Sequence, residues 1–373
     1  MIYKNFAQVK LSALGLGCMR LPTKDGDPNA VDIEKTAEMV DYALKNGVNY
    51  FDTAWGYHGG NSETAMGEVL SRYPRESYFL ASKFPGYDIS TFENMEGIFN
   101  KQLEKCRTEY FDFYLCHNVN EKNIDYFLSE KFAAVDTLCE YKKQGKIRHL
   151  GFSAHAELPA LKRFLEAVGD RMEFCQLQIN YIDWTWQSAK EKLDLVHSYG
   201  IPVWVMEPLR GGKLACLPEK HEKERSAKFP DMSAVQTAFR FLQSIDDVCV
   251  TLSGMSNMEQ LKDNIEIFAS EERLSEEEFS YLVKLGASMI GAVPCTECRY
   301  CTEYCRMGLD IPYLLRLYNE HTYTGGGWWA PMMVSNLPED KRPQACVGCG
   351  ECERVCPQSI KIPQILKEFV SKL

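Results

Sequence analysis

The chain has 373 residues, of which 45% are hydrophobic and 25% are charged, as in an ordinary soluble globular protein. Its net charge of -10 argues against a surface for nucleic acid or anionic membranes, and no segment approaches the roughly 20 apolar residues of a membrane span. The N-terminus lacks the apolar run of a signal peptide, so the sequence predicts a cytoplasmic protein without nucleic-acid or membrane partners.

Residues 13 to about 270 alternate short apolar runs with longer amphipathic stretches. Strands that alternate with helices indicate a parallel sheet, and eight such units favour an α/β fold closed into a (β/α)8 barrel over an open, doubly wound sheet. Two predicted helices carry boundary signals: residues 32–46 end at Gly47, and residues 62–72 have Ser62 as a plausible N-cap. The predicted strands are residues 13–18, 49–52, 78–83, 113–117, 149–153, 174–178, 203–207 and 248–253.

Most of these predicted strands end in a polar residue. Asp52, Lys83 and His117 close the second, third and fourth strands. Because the C-terminal ends of barrel strands meet at one mouth, where active sites lie, these residues should converge on one pocket. The later polar ends are Ser153, Gln176 or Gln178, Glu207 and Ser253.

Four of the converging residues suit one chemical task, the donation of a proton to a carbonyl oxygen while hydride arrives at the carbon. Tyr57, on the loop after Asp52, would be the proton donor, and a nearby Lys83 ammonium would lower its pKa from the ordinary value near 10. Asp52 would keep Lys83 charged and in place, and His117 would orient the carbonyl. Taken singly, each residue also has a structural explanation, such as a loop cap or a core histidine.

At these residues the sequence resembles the aldo-keto reductase family, over roughly residues 1–270. The resemblance implies a (β/α)8 barrel, the catalytic tetrad Asp52, Tyr57, Lys83 and His117, and an extended nicotinamide cofactor, NAD(H) or NADP(H), across the mouth. The matching segments are Gly15-Leu16-Gly17, Asp52-Thr53-Ala54 with Tyr57, Ser62-Glu63 with Gly67, Ser82-Lys83, His117, Gly151-Phe152-Ser153, Gln176 and Glu207-Pro208-Leu209.

The same resemblance implies which residues bind the nicotinamide cofactor. Ser153 and Gln176 would hold the carboxamide. The pyrophosphate and adenosine would lie along a second group of residues: Leu209, Gly211, Gly254, Gln260 and Asn264.

The chain departs from the family pattern in three places. Ala154 stands where the family usually has Asn, which removes one predicted carboxamide contact. Gly254 and Gln260 stand where NADP-preferring members place cations for the 2′-phosphate, so NAD(H) or loose selectivity is favoured. The aromatic segment 181–186 would either cover a small or planar substrate or pack the barrel rim.

Eight of the fifteen cysteines lie in the last 79 residues, in two C-x2-C-x2-C-x3-C runs separated by an offset of 51. This is the spacing of ferredoxins with two 4Fe-4S clusters, in which each cluster takes three thiolates from one run and the fourth from the other. Zinc, which also uses C-x2-C pairs, fits the spacing less well. One predicted ligand set is Cys295, Cys298, Cys301 and Cys356, and the other is Cys305, Cys346, Cys349 and Cys352.

The chain is therefore predicted to have two domains, a barrel in residues 1–290 and a mainly helical ferredoxin-like domain in residues 291–373. The 40 residues between the cysteine runs include a predicted helix at 312–320 and a Gly-Trp segment at 325–329. This segment would either dock on the barrel or form a surface loop.

The predicted function is an NAD(P)-dependent oxidoreductase that reduces a small carbonyl compound or oxidises the alcohol. Hydride transfer moves two electrons together, whereas each cluster passes one. The clusters would therefore exchange electrons with a ferredoxin or flavoprotein partner in a separate step, or an external flavin or a radical intermediate would link them to hydride transfer, or they would be structural. The alternative is a nicotinamide-binding redox sensor or electron-transfer protein whose barrel does not turn over carbonyls.

Overall fold

The structure, a computed structural model, describes residues 1–295 and 297–373. These residues form two compact units, residues 1–285 and residues 286–373. The division falls inside the helix Glu276–Met289, five residues before the boundary predicted after residue 290. In the described part of the chain, no helix is both long enough and apolar enough to cross a membrane.

The first unit begins with an antiparallel hairpin, β1 (Tyr3–Phe6) and β2 (Val9–Ser12). Eight parallel strands follow and close into a barrel in chain order, because the last strand pairs with the first. The predicted (β/α)8 barrel is therefore confirmed. Its strands are β3 (Leu14–Gly17), β4 (Tyr50–Asp52), β5 (Phe79–Phe84), β6 (Phe111–Val119), β7 (Ile147–Ala154), β8 (Phe174–Gln178), β9 (Val203–Met206) and β10 (Val248–Ser253).

The helices of this unit lie between the barrel strands and after the last one. The first helix follows its local signals: Asp32 accepts a hydrogen bond from the Lys35 N–H, and Gly47 follows the helix with a φ of +87°. The N-cap predicted for the second helix is wrong, because Asn61 holds the capping position and Ser62 is the first helical residue. The helices are α1 (Ile33–Lys45), α2 (Ser62–Leu70), α3 (Met95–Lys105), α4 (Ile124–Phe127), α5 (Ala134–Lys143), α6 (Leu158–Val168), α7 (Asp183–Trp186), α8 (Ala189–His197), α9 (Glu219–Lys228), α10 (Ala234–Gln243), α11 (Met258–Ile267) and α12 (Glu276–Met289).

Aromatic side chains fill the barrel interior next to the hairpin. The indole ring of Trp204 lies 5.0 Å from the ring of Phe6 and 5.9 Å from that of Phe113, and all three side chains are buried. Aromatic pairs at these distances add to the hydrophobic stabilisation of the core. The hairpin and these rings occupy one end of the barrel, and the strands terminate at the other end.

The second unit is mainly helical, as predicted. Two of its longer helices each begin with an Ile-Pro pair, at Ile311 and at Ile362, and two four-residue helices also differ in number by 51. The internal repeat of the sequence is therefore a structural repeat. The helices are α13 (Tyr300–Glu303), α14 (Ile311–Thr324), α15 (Trp329–Asn336), α16 (Glu351–Arg354) and α17 (Ile362–Lys372).

The Gly-Trp segment of this unit joins α14 to α15. Gly325 ends α14 with a φ of +68°, a conformation that glycine adopts without steric cost. Trp329 is buried in the core of the second unit, whereas Trp328 is half exposed. One tryptophan therefore serves the core of its own unit, and α14 extends well beyond the predicted residues 312–320.

Candidate active site and cluster sites

The strand ends β4 and β5 bring an ion pair to the barrel mouth. Lys83, whose side chain is 1% exposed, donates hydrogen bonds to Asp52 Oδ1 at 2.5 Å, to the Thr53 carbonyl at 2.8 Å and to the Tyr57 hydroxyl at 3.2 Å. Burial alone lowers the pKa of Lys83, but the Asp52 carboxylate and Tyr57 outweigh burial and raise the pKa above its ordinary value. The lysine is therefore an ammonium whose three donors all have acceptors.

Tyr57 lies beside this ammonium. Burial raises the pKa of its phenol, and Lys83 opposes that effect in the predicted direction without cancelling it. The net pKa lies above the ordinary value of about 10, so the phenol is protonated at neutral pH. Tyr57 is consequently a proton donor with a positive charge next to it.

His117 completes the predicted tetrad. Its ring packs edge-on against Tyr57, with centroids 6.1 Å apart, and its Nδ1 atom is buried without a hydrogen-bond partner in the described residues. Burial, followed by the charge of Lys83, holds the pKa of His117 well below its usual range. The imidazole is therefore neutral, and the structure brings all four tetrad residues together.

The residues predicted to hold the carboxamide already make hydrogen bonds to the site. Gln176 donates from Nε2 to Asp52 Oδ2 at 2.6 Å, which leaves its Oε1 atom as an acceptor. The Ser153 hydroxyl accepts from the Asn118 N–H at 2.8 Å, which leaves its own proton for another acceptor. The site therefore offers one free donor, the Ser153 hydroxyl, and one free acceptor, Gln176 Oε1, which together match the oxygen and the N–H group of an amide.

The residues predicted to contact the pyrophosphate and adenosine differ from one another in burial and in their hydrogen bonds. Asn264 is buried and donates to the Ser253 hydroxyl at 2.9 Å, so it holds the end of β10. Gln260 is exposed and accepts from the Ser256 N–H at 2.8 Å. The remaining three, one half-buried and two exposed, lie on the loops after β9 and β10: Leu209, Gly211 and Gly254.

The structure adds a cation that the sequence reasoning missed. Arg20, just after β3, extends across Gly254, where a Cβ would lie 3.1 Å from its side chain. Its Nη2 atom is 3.5 Å from the position of a Cβ on Gly211 and 3.9 Å from Glu207 Oε1. The only sequence signal was a basic residue at the end of the first barrel strand. This signal is common, and only the fold places it beside these glycines.

A second missed residue is Tyr87, on the loop after β5. Its ring packs edge-on against His117 with centroids 5.2 Å apart, and its hydroxyl lies 2.5 Å from the position of a Cβ on Gly56. Burial raises the pKa of the Tyr87 phenol to about 12, although the residue as a whole is 42% exposed. Tyr87 therefore forms the solvent-facing wall beside the tetrad.

The aromatic segment 181–186 contributes to packing. The ring of Trp184 packs edge-on against two phenylalanine rings. The ring centroids are 5.5 Å apart for Phe241 and 5.4 Å apart for Phe279. Tyr181 and Ile182 are completely buried. These contacts favour the packing alternative over a substrate cover.

The cysteines of the second unit surround two cavities. Each cavity contains three cysteines of one run and one cysteine of the other, which are the two sets that the sequence predicted. In residues 1–295 and 297–373, no three His, Cys, Asp or Glu side chains converge as ligands of a single metal ion would. The sets are Cys295, Cys298, Cys301 and Cys356 in one cavity, and Cys305, Cys346, Cys349 and Cys352 in the other.

Comparisons with known proteins cover both units. A model described as the aldo/keto reductase family matches residues 13–287, and one described as a 4Fe-4S dicluster domain matches residues 294–360. The chain is 26% identical over 308 residues to the uncharacterized oxidoreductase YqkF of Bacillus subtilis, covering 74% of this chain and 93% of that protein. It is 26% identical over 281 residues to L-galactose dehydrogenase of Arabidopsis thaliana, covering 69% and 84%.

Among solved structures, the chain resembles the holo form of an aldo-keto reductase from Bacillus halodurans. The TM-score is 0.63 at 24% identity, and the match covers 76% of this chain and 96% of that one. At this level of identity the likeness shows the barrel fold.

Proposed function

The chain belongs to the aldo/keto reductase family of oxidoreductases and carries a 4Fe-4S dicluster domain, and from that premise we propose that its barrel interconverts a small carbonyl compound and the alcohol. The two domains occur in the order that the sequence predicted. The observation that carries the proposal is the position of Lys83, whose ammonium contacts both Asp52 and the protonated Tyr57 hydroxyl at the barrel mouth.

In the direction of reduction, Tyr57 donates its proton to the substrate oxygen. The negative charge that develops on the phenol is stabilised by Lys83, which lies 3.2 Å away. Asp52 and the Thr53 carbonyl hold the ammonium in place, so little reorganisation is needed when the proton moves. His117, neutral and with a buried Nδ1 atom lacking a partner in the described chain, orients the carbonyl.

The residues at the mouth fit a nicotinamide dinucleotide, which when bound supplies or accepts the hydride. The Ser153 hydroxyl is free to donate to the amide oxygen, and Gln176 Oε1 is free to accept from the amide N–H. Gly211 and Gly254 leave room beside the Arg20 guanidinium, which would pair with a phosphate. Because Gly254 and Gln260 supply no cation for a 2′-phosphate, we propose that the barrel accepts NAD(H) at least as well as NADP(H).

The two cysteine sets would hold two 4Fe-4S clusters, each of which carries one electron at a time. Each set includes one exposed cysteine, Cys298 in the first and Cys349 in the second. A cluster with a ligand at the surface is placed for electron exchange with another protein. We therefore propose a ferredoxin or a flavoprotein as the partner of this unit.

An anaerobic titration of the cluster-loaded protein tests the combined proposal. NADH and then NADPH are added while cluster absorbance and the EPR signal are followed, and turnover is measured over a panel of aldehydes and ketones. Carbonyl turnover with either nucleotide supports the barrel proposal, and cluster reduction shows that the two activities are linked. Nucleotide binding without turnover of any carbonyl or alcohol would contradict the proposal and favour the redox-sensor alternative.

A further inference from the structure

Two adjacent residues at the start of α2 take no part in the chemistry proposed above. Ser62 and Glu63 are both completely buried, with an exposed fraction of 0%. A buried carboxylate is costly unless it is paired and fully hydrogen-bonded. Their partners lie around Lys83.

Ser62 is linked to the ammonium end of Lys83. Its hydroxyl donates to the Cys18 carbonyl at 2.9 Å and therefore accepts from the Thr53 hydroxyl, also at 2.9 Å. The Thr53 carbonyl is one of the three acceptors of the Lys83 ammonium. Ser62 thus ties this acceptor to the end of β3.

Glu63 is linked to the backbone end of Lys83. Its Oε1 atom accepts from the Ser82 hydroxyl and from Gln102 Nε2, both at 2.6 Å, and its Oε2 atom accepts from Lys105 at 3.1 Å. Gln102 Nε2 also donates to the Lys83 carbonyl at 3.0 Å. The carboxylate therefore fixes the residue before Lys83 and, through Gln102, Lys83 itself.

The surrounding packing leaves this network little freedom. A Cβ on Gly67 would lie 2.1 Å from the Lys105 carbonyl, so only glycine allows α2 and α3 to approach as closely as they do. The Tyr114 hydroxyl donates to Gln102 Oε1 at 2.6 Å, which fixes the orientation of the amide. A buried network whose members are all hydrogen-bonded is rigid and specifies one geometry.

We propose that Ser62 and Glu63 are positioning residues that hold Lys83 from both ends, its ammonium through Thr53 and its backbone through Ser82 and Gln102. The inference rests on the role proposed for Lys83 beside Tyr57. It assigns a task to the Ser62-Glu63 and Gly67 motif, which the proton-transfer chemistry leaves unused. Supporting residues of this kind keep an active-site group within a fraction of an ångström of its working position.

The test uses Glu63→Gln and Gln102→Leu in the full-length, cluster-loaded protein. Displacement of Lys83 should lower kcat on the order of tenfold or more while the KM for the carbonyl stays within about twofold. It should also raise the pKa of Tyr57, because the ammonium that opposes burial moves away. Carbon NMR of the protein labelled at tyrosine Cζ measures this pKa, with the Tyr57 signal identified by its absence in Tyr57→Phe.

Asp112→Asn is the matched control. Asp112 is a buried carboxylate at the opposite end of the barrel, where it accepts hydrogen bonds from Arg75, Arg148 and the Leu80 N–H. Its substitution should lower the thermal unfolding temperature and leave both kcat and the pKa of Tyr57 unchanged. If Glu63→Gln and Gln102→Leu behave like this control, the network is only structural and the proposal is wrong.

The NMR titration separates this inference from the proposed function. It needs no substrate, so it reports on the position of Lys83 even if the wild-type protein turns over no carbonyl. If Glu63→Gln or Gln102→Leu does not fold, Ser82→Ala removes a single donor of the same network and takes its place. A Tyr57 pKa unchanged in Ser82→Ala would then count against the proposal.

Discussion

The barrel and the cysteine unit build their functional sites in opposite ways. In the barrel, Lys83 and Asp52 are buried and hydrogen-bonded to each other beside the half-buried Tyr57, so the site is complete as a protein structure. In the second unit, the cysteines lie around cavities on short helices and loops, and each set contains cysteines from both repeats. The first site is positioned by the core, whereas we propose that the second takes part of its stability from the clusters that it would bind.

The largest effect that tests this contrast is expected from Tyr57→Phe. The substitution removes the proton donor and leaves the ring, so carbonyl turnover should fall by about 10²–10⁴-fold. Nucleotide affinity and iron content should stay at the wild-type level, because neither site loses a ligand. Turnover with NAD(P)H and a carbonyl, measured beside a fluorescence titration of the nucleotide, checks this. Wild-type turnover in the variant would remove Tyr57 from the mechanism.

Lys83→Met should reduce turnover by about a hundredfold and change its pH dependence. Reduction needs the protonated phenol, so its rate should be constant near neutral pH and fall as the pH rises through the pKa of Tyr57. Lys83 lowers that pKa against the effect of burial, so its removal should move the fall to higher pH. A pH profile of kcat for both proteins measures the shift, and a move to lower pH would contradict the electrostatic role of Lys83.

Arg20→Gln should weaken nucleotide binding by about three- to tenfold, because it removes a charged hydrogen-bond donor at a partly exposed position. Arg72→Gln is the control, since Arg72 is an exposed arginine that pairs with Glu68 on the protein surface. The measurement is the dissociation constant of each variant for NADH, at low and at high salt. Equal affinity in Arg20→Gln and Arg72→Gln would show that Arg20 does not contact the cofactor.

The smallest change, a loss of half the iron, is expected from Cys356→Ser. The variant should lose the cluster assigned to Cys295, Cys298 and Cys301 and keep the other, although Cys356 lies in the second run. Cys305→Ser should give the converse result, and Cys216→Ser, in the first unit, should lose none. Iron analysis and EPR distinguish the two clusters. Loss of the cluster belonging to the run of the mutated cysteine would overturn the crossed assignment.

The barrel itself was predictable because its signals are local. Strand length, the alternation with helices and a terminal glycine such as Gly47 depend on neighbours in the chain. The polar strand ends were predictable for a related reason, since a parallel barrel collects all its strand ends at one mouth. The crossed cysteine sets followed from the spacing of the two runs.

Other parts of the site were not predictable because they depend on neighbours far away in the chain. Ser62 has the side chain of an N-cap residue, but the fold buries it against Cys18 and Thr53. Arg20 and Tyr87 could not be singled out from the sequence, since a basic residue after a strand and a loop tyrosine are common.

The sequence by itself therefore determined the order of the domains, the closed barrel, the positions of the four residues proposed as a tetrad and the two cysteine runs, because periodicity, strand ends and spacing are properties of short segments. Only the tertiary structure decided which side chains support one another. Gln176 reaches Asp52 across 124 positions in the chain, and Glu63 joins β5 to α3. Such hydrogen bonds require a donor–acceptor distance within a few tenths of an ångström and a favourable angle. This geometry is established only when the helices and strands have packed.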